Sequence, residues 1–264
     1  MITSSQNTLI KNIVKLRKAR ARKQQDLVIV DGLREIKVAF DYGFEFVELL
    51  HCPDLSSEEW KQAPITPTPV SLEVFKKAAY ADNPNGWLAL IKPRYRQLED
   101  LKLKANPLVL VLEAVEKPGN LGAMLRTAYA ANIDAVIINN LQTDFYNPNV
   151  IKASSGHVFS DQVAIADEAE TLAWLKKNKI KVHATNITAA TPYTDVNWSE
   201  GAAIIMGTEA TGLSDFWIKA ADKNIIIPMQ AGIDSLNVSV SAAIIVFEAK
   251  RQRDSSNGAN IKKK

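Results

Sequence analysis

The stretch Leu108 to Ala128 reads LVLVLEAVEKPGNLGAMLRTA. It opens on an apolar run with no polar alternation, which predicts a strand over Leu108 to Val115 buried on both faces, as strands in parallel sheets are. Pro118 and Gly119 interrupt it, and Leu121 to Asn132 then carries apolar residues at helical spacing. Strand, loop and helix make half of a βαβ unit.

The same alternation continues downstream. Further strands are expected at Ala135 to Asn139, Val163 to Ala166, Ile180 to Asn186, Ala202 to Met206 and Asn224 to Pro228. Helices are expected at Asn149 to Ser155, Glu168 to Asn178 and Asp215 to Ala221. The last segment, Leu236 to Arg253, begins with strand-like alternation but is too long for one strand, and Ser235 can cap it, so it is read as a helix. The fold class is therefore α/β, with a mostly parallel sheet covered by helices on both faces.

Upstream lies a smaller α/β pattern: strand Leu27 to Val30, helix Leu33 to Phe40, strand Phe46 to Leu50, helix Leu72 to Ala79 and strand Trp87 to Ile91. Leu9, Ile10, Ile13 and Val14 place a basic amphipathic helix before it. The expected division is a first domain over 1–97, a linker over 98–106, a second domain over 107–253 and a basic tail over 254–264.

With 264 residues, 47% hydrophobic and 23% charged, the chain is neither disordered nor fibrous and is long enough for a full core. No apolar run approaches the ~20 residues that span a bilayer, and the start lacks the pattern of a secretory signal, so a cytoplasmic protein is expected. Cys52 is the single cysteine, and His51, His157 and His183 stand at unrelated spacings, so no metal site is expected.

Charge is distributed unevenly. Residues 1–25 carry seven basic side chains and no acid: Lys11, Lys15, Arg17, Lys18, Arg20, Arg22 and Lys23. Residues 106–249 carry nine basic and fifteen acidic ones, and the last fifteen residues six basic and one acidic. Basic ends around an acidic middle suit a chain whose termini follow a polyanion, and the seven cations are the candidate contacts to it.

In an open parallel sheet ligands bind beyond the carboxyl ends of the strands. Three loops fall there. The first, EKPGNLGAMLRTA, has a GxxG in place of the dinucleotide GxGxxG, and leaves Asn120 and Arg126 at a helix start. The second, MGTEATGLS over Met206 to Ser214, sets Glu209 between Gly207 and Gly212; a carboxylate with no lysine beside it disfavours a triphosphate and suits a ligand bearing positive charge. The third, IPMQAGIDSLNVS over Ile227 to Ser239, brings Met229, Ser235 and Asn237 to the mouth of the last strand.

Taken in order, N-L-G-x-x-x-R-T, G-T-E-x-x-G-L-S and I-P-M-x-x-x-x-x-S-L-N-V-S resemble the three signature motifs of the SpoU (TrmH-like) RNA ribose 2′-O-methyltransferases of the SPOUT superfamily. The segment SSQNTLIKNIVKLRKARARKQQDLVIVDGLREIKVA is similar to the ribosomal-protein-like substrate-binding domain that often precedes the catalytic one. The resemblance implies methyl transfer from S-adenosylmethionine to a ribose 2′-hydroxyl of RNA, ribosomal before transfer RNA. It also implies a deep trefoil knot and a homodimer in which the motif-one arginine completes the partner's site. On its motifs, Thr185, Gly207, Glu209, Gly212, Ile227, Met229, Ser235 and Leu236 fall on cofactor positions, and Asn120, Arg126, Ser235 and Asn237 on catalytic ones. Thr208, Ala210 and the SSGHVF stretch from Ser154 to Phe159 depart from the commonest family pattern, and His157 leaves the RNA target open. Two other readings stay open: a SPOUT enzyme that methylates a base nitrogen, and a catalytically silent RNA-binding assembly factor.

Overall fold

A computed structural model describes residues 1–208, 211–232 and 235–256. The chain forms two compact units, one of residues 1–94 with 144–160, the other of 95–143 with 161–264.

In the first unit, α1 (Thr8–Lys15) and α2 (Ala19–Gln25) precede β1 (Val28–Asp31), α3 (Leu33–Asp41), β2 (Phe46–His51), β3 (Thr68–Pro69), α4 (Leu72–Ala78) and β4 (Trp87–Ile91). The sheet order is β1-β4-β2-β3, with β4 antiparallel to both neighbours and the short β3 parallel to β2. The apolar stripe read from the sequence is used: Ile10, Ile13 and Leu16 are fully buried and join Val74, Phe75, Leu88 and Leu90 in one core.

The single basic helix expected at the start is in fact two, broken between Lys15 and Ala19. Arg22, in the second helix, turns inward at this break. It is only 5% exposed, donates to the carbonyls of Leu16 and Arg17 at 2.7 and 2.8 Å, and pairs with the Asp144 carboxylate. The guanidinium thus satisfies carbonyls that the break leaves open, and a buried charge needs such partners.

The second unit holds β5 (Leu108–Glu113), α5 (Pro118–Ala131) and β6 (Ala135–Asn139). The chain then contributes α6 (Pro148–Ala153) to the first unit and returns with β7 (Val163–Ile165), α7 (Glu168–Lys177), β8 (Lys181–Thr185), β9 (Thr191–Pro192), β10 (Ala202–Met206), α8 (Asp215–Ala220), β11 (Lys223–Ile226) and α9 (Val238–Ser256). Seven strands run β7-β6-β5-β10-β8-β11-β9, every pairing parallel. The central β5, β6 and β10 are buried at every position, which is why their sequences show no alternation. Val109, Val111, Ile137, Ala203 and Ile205 form the core of this sheet with Trp217 of α8.

The segment 144–160 differs from the sequence division, which put it in the second domain. Its aromatic side chains pack on the first unit: Phe159 and Tyr146 both meet the Phe44 ring edge to face, with centroids 4.9 and 6.3 Å away. Gly156, at φ +85°, lets the backbone pass within van der Waals contact of Val38, where an added Cβ would sit 3.0 Å from the Val38 Cβ.

Candidate cofactor pocket and catalytic residues

Strands β8, β10 and β11 are neighbours, and their carboxyl ends open into one cavity of about 350 Å³. That volume falls at the small end of the ~300 to 1,000 Å³ typical of cofactor and small-molecule sites. Seven of the eight sequence-predicted cofactor residues line it: Thr185, Gly207, Gly212, Ile227, Met229, Ser235 and Leu236. Glu209, the eighth, lies outside the described residues. Most of the remaining wall is aliphatic, including Ile187, Leu213, Ile225 and Ile245. A flat heterocycle fits such walls, and hydroxyls and backbone groups supply its few polar contacts.

The glycine-bearing turn closes on itself. The Thr208 N–H donates to the Gly212 carbonyl at 3.0 Å, and the Thr211 N–H donates to the Thr208 hydroxyl at 3.0 Å. Gly212 has φ +71°, a region that favours glycine. Gly207 is compelled by space instead, because a Cβ there would lie 2.3 Å from the Gly212 carbonyl carbon and 2.5 Å from the Leu213 nitrogen. Thr185 lines the cavity while its hydroxyl donates to the Ile205 carbonyl at 2.9 Å, tying β8 to β10.

A residue that sequence reading passed over fixes this turn from below. Glu113, at the end of β5, is 3% exposed, and its Oε2 accepts the Ser214 N–H at 2.9 Å. The signal was visible as an acid inside an otherwise apolar run, a residue type almost never buried without a partner. The adjoining Ala114 holds φ +51°, so the chain leaves β5 through a conformation that a residue with a Cβ adopts at a cost.

Motifs one and three meet directly. Asn237 caps α9: its Oδ1 accepts the Ser239 N–H at 2.9 Å and the Ser239 hydroxyl at 2.6 Å. Ser235, expected to cap this helix, lines the cavity instead, and α9 begins at Val238. The Asn237 Nδ2 donates to the Asn120 Oδ1 at 3.2 Å, joining the first turn of α5 to the start of α9. Arg126 is exposed on α5 and has no ion-pair partner among the described residues. At ~100° per residue, six positions carry it roughly 120° around the helix from Asn120, so the two do not share a face.

Of the seven cations read as RNA contacts, Lys11, Lys15, Lys18, Arg20 and Lys23 are exposed. Arg17 is exposed but its guanidinium donates to the Lys77 carbonyl at 2.7 Å, at the end of α4. Arg22 is withdrawn from this surface by the inward contacts described above. Among the described residues no three His, Cys, Asp or Glu side chains converge as a metal site, and no helix is long and apolar enough to cross a membrane.

Residues 107–247 match the SpoU rRNA Methylase family, and residues 7–89 match an MRM3-like substrate binding domain. A 23S rRNA guanosine 2′-O-methyltransferase, RlmP of Bacillus subtilis, is 27% identical across 94% of this chain and 98% of its own. A solved RNA 2′-O ribose methyltransferase is 40% identical with a TM-score of 0.84, covering 96% of this chain and 98% of its own. An AdoMet-bound rRNA methyltransferase from Sinorhizobium meliloti is 26% identical, also at TM-score 0.84, over 95% of this chain and 97% of its own. With three motif-bearing turns at the carboxyl ends of strands in one parallel sheet and a family match across more than half its length, the chain belongs to the SpoU rRNA methylase family.

Proposed function

We propose that this chain transfers a methyl group from S-adenosylmethionine to a ribose 2′-hydroxyl of ribosomal RNA, acting as a cytoplasmic homodimer. The observation that carries this reading is a convergence. Gly207, Gly212 and Leu213 from the second motif and Ile227, Met229 and Ser235 from the third line one largely aliphatic cavity, and Asn237 of the third holds Asn120 of the first. The reading extends to a deep trefoil knot built from the second and third motifs.

Thr185, Gly207, Gly212, Ile227, Met229, Ser235 and Leu236 would hold the cofactor. When bound, the cofactor supplies an electrophilic methyl group on a sulfonium. The chain's own residues then have two tasks, to place the 2′-oxygen and to manage its proton. Asn120 and Asn237 orient the acceptor nucleotide. Arg126 stabilises the developing alkoxide and clamps a neighbouring phosphate. A guanidinium keeps its proton at any working pH, so the hydroxyl proton passes to a phosphate oxygen or water.

The position of Arg126 supports the dimer. It sits on a different face of α5 from Asn120, which suits a role in the site of a second copy. Tyr129 on α5, and Val240 and Phe247 on α9, are exposed large apolar side chains that a second copy seated there would cover. The exposed Lys11, Lys15, Lys18, Arg20 and Lys23 supply phosphate attraction that weakens steeply with salt.

The test is to incubate the protein with methyl-labelled cofactor and total RNA, then map the label by resistance to alkaline cleavage. A 2′-O-methyl blocks cleavage at its own nucleotide. Label on an alkali-sensitive nucleotide would indicate base methylation, and no label at all a silent RNA-binding factor. In the same assay Arg126→Lys should lose single-turnover rate, because it keeps the charge and loses the two-pronged geometry; a near-normal rate would remove the role given to Arg126.

A further inference from the structure

The first unit contains a cavity that the methyl-transfer site does not use. It measures about 180 Å³ and is lined by Ile29, Tyr80 and Ile151 together with Asp31, Asn149 and Lys152. Asp31 ends β1, and its Oδ2 accepts the N–H groups of Tyr80 and Ala81, each at 2.8 Å. These two bonds lock the carboxylate in place, while its Oδ1 has no hydrogen-bond partner among the described residues. Burial holds the Asp31 carboxyl above the usual carboxylate range, the two amide bonds working against that. On the other wall the Lys152 ammonium lies 3.5 Å from the buried Glu35 carboxylate.

The chemistry of the walls narrows the occupant. A carboxylate disfavours phosphate, and the lysine beside it disfavours a metal ion. The volume is below the ~300 Å³ at which pockets take whole drug-sized ligands, so there is room for a ring system without its sugar and phosphate. A fixed carboxylate acceptor and an ammonium donor, between apolar walls, complement a neutral planar ring that carries both N–H donors and carbonyl or ring-nitrogen acceptors. The cavity also adjoins the basic surface, since Arg17 donates to the carbonyls of Lys77 and Ala79, the latter next to Tyr80.

We infer that this cavity receives one unstacked base of the RNA, with Asp31 accepting from the donors of its pairing edge and Lys152 donating to its acceptors. Proteins read single-stranded RNA by splaying bases into such sites. The inference rests on RNA being the substrate, and it adds that the target carries an unpaired nucleotide that the first unit reads.

The full-length protein is titrated by fluorescence anisotropy, at one salt concentration, with twelve-nucleotide RNAs of C, A or U and with a twelve-residue abasic ribose-phosphate chain. A matched base contact corresponds to roughly tenfold, so the best base-bearing oligomer should bind about ten times more tightly than the abasic one. Asp31→Asn keeps the shape but turns a donor toward the cavity; this ratio should fall to within about twofold while abasic binding is unchanged. Lys152→Gln, on an exposed side chain, should narrow the ratio too, and carries the test should Asp31→Asn fail to fold by thermal melting. Folded variants that keep the wild-type ratio would overturn the inference. Absence of methyl transfer by the wild-type protein would instead strike the proposed function, because the oligomer ratio is read without any transfer.

Discussion

Replacing Gly207 by alanine tests whether the cofactor turn is set by space. The added Cβ would lie 2.3 Å from the Gly212 carbonyl carbon, 2.4 Å from its oxygen and 2.5 Å from the Leu213 nitrogen. All three are backbone atoms, so no side chain can rotate away. Carbon contacts are optimal near ~3.5 to 4.0 Å, so the 212–213 backbone must retreat by about 1 Å. Overpacking of that kind costs about 1 to 3 kcal/mol. If the turn retreats into the cavity, the cost appears in binding, as a loss of affinity for S-adenosylmethionine between about fivefold and about 150-fold. If the strain is instead held in the folded state, it appears as a melting temperature lower by roughly 2 to 4 °C per kcal/mol. Titration calorimetry and thermal melting together capture both. Gly119→Ala is the control, since a Cβ there would meet nothing within 4 Å. Should Gly207→Ala bind within twofold of wild type and melt at the wild-type temperature, the claim that this turn tolerates only glycine is wrong.

Two further outcomes follow from buried polar groups. Glu113→Ala removes the acceptor for the Ser214 N–H; leaving that amide unsatisfied costs ~1 to 3 kcal/mol, so cofactor affinity should fall by at least about fivefold, and unchanged calorimetry would exclude the tie as a determinant of turn position. His183, buried against the Trp198 ring, has its pKa pushed down to about 4 by desolvation, with Lys223 and Lys181 adding to this and Asp222 opposing it. The unfolded chain takes up this proton near pH ~6.5 and the folded one only near 4, so His183 costs stability as pH falls through that window, at most ~1.4 kcal/mol per pH unit. Urea unfolding at pH 7.5 and 5 should show His183→Gln losing less stability on acidification than wild type; parallel losses would contradict the assignment.

The second unit was legible because each of its signals is local. Unalternating apolar runs mark strands buried on both faces, and turn residues mark their carboxyl ends, so the loops that line the cavity were readable before any contact was known, while the roles expected of their residues came from the resemblance of the motifs. What stayed hidden depends on partners distant in the chain. Arg22 looks like its six basic neighbours, and only the Asp144 carboxylate, 122 residues away, shows why it turns inward. Segment 144–160 carries an ordinary helix pattern, and nothing in that pattern says which unit its aromatic residues will join. Glu113 was noticeable as an acid in an apolar strand, but its acceptor role depends on a turn 101 residues later. Ser235 and Asn237 are both good caps by type, and the choice between them was made by the cavity, which takes Ser235 into its lining.

The side-chain amide of Asn237 is committed at both ends. Its oxygen terminates α9 and its nitrogen reaches Asn120, so the helix start itself dictates which way the amide points. Aspartate would serve the helix equally well and serine nearly so, yet neither has an N–H₂ to extend across the gap. Only one side chain of that length offers both polarities. A chain with aspartate there would keep a capped α9 and surrender the bridge to Asn120, so a single substitution separates the helix from the link between the two motifs.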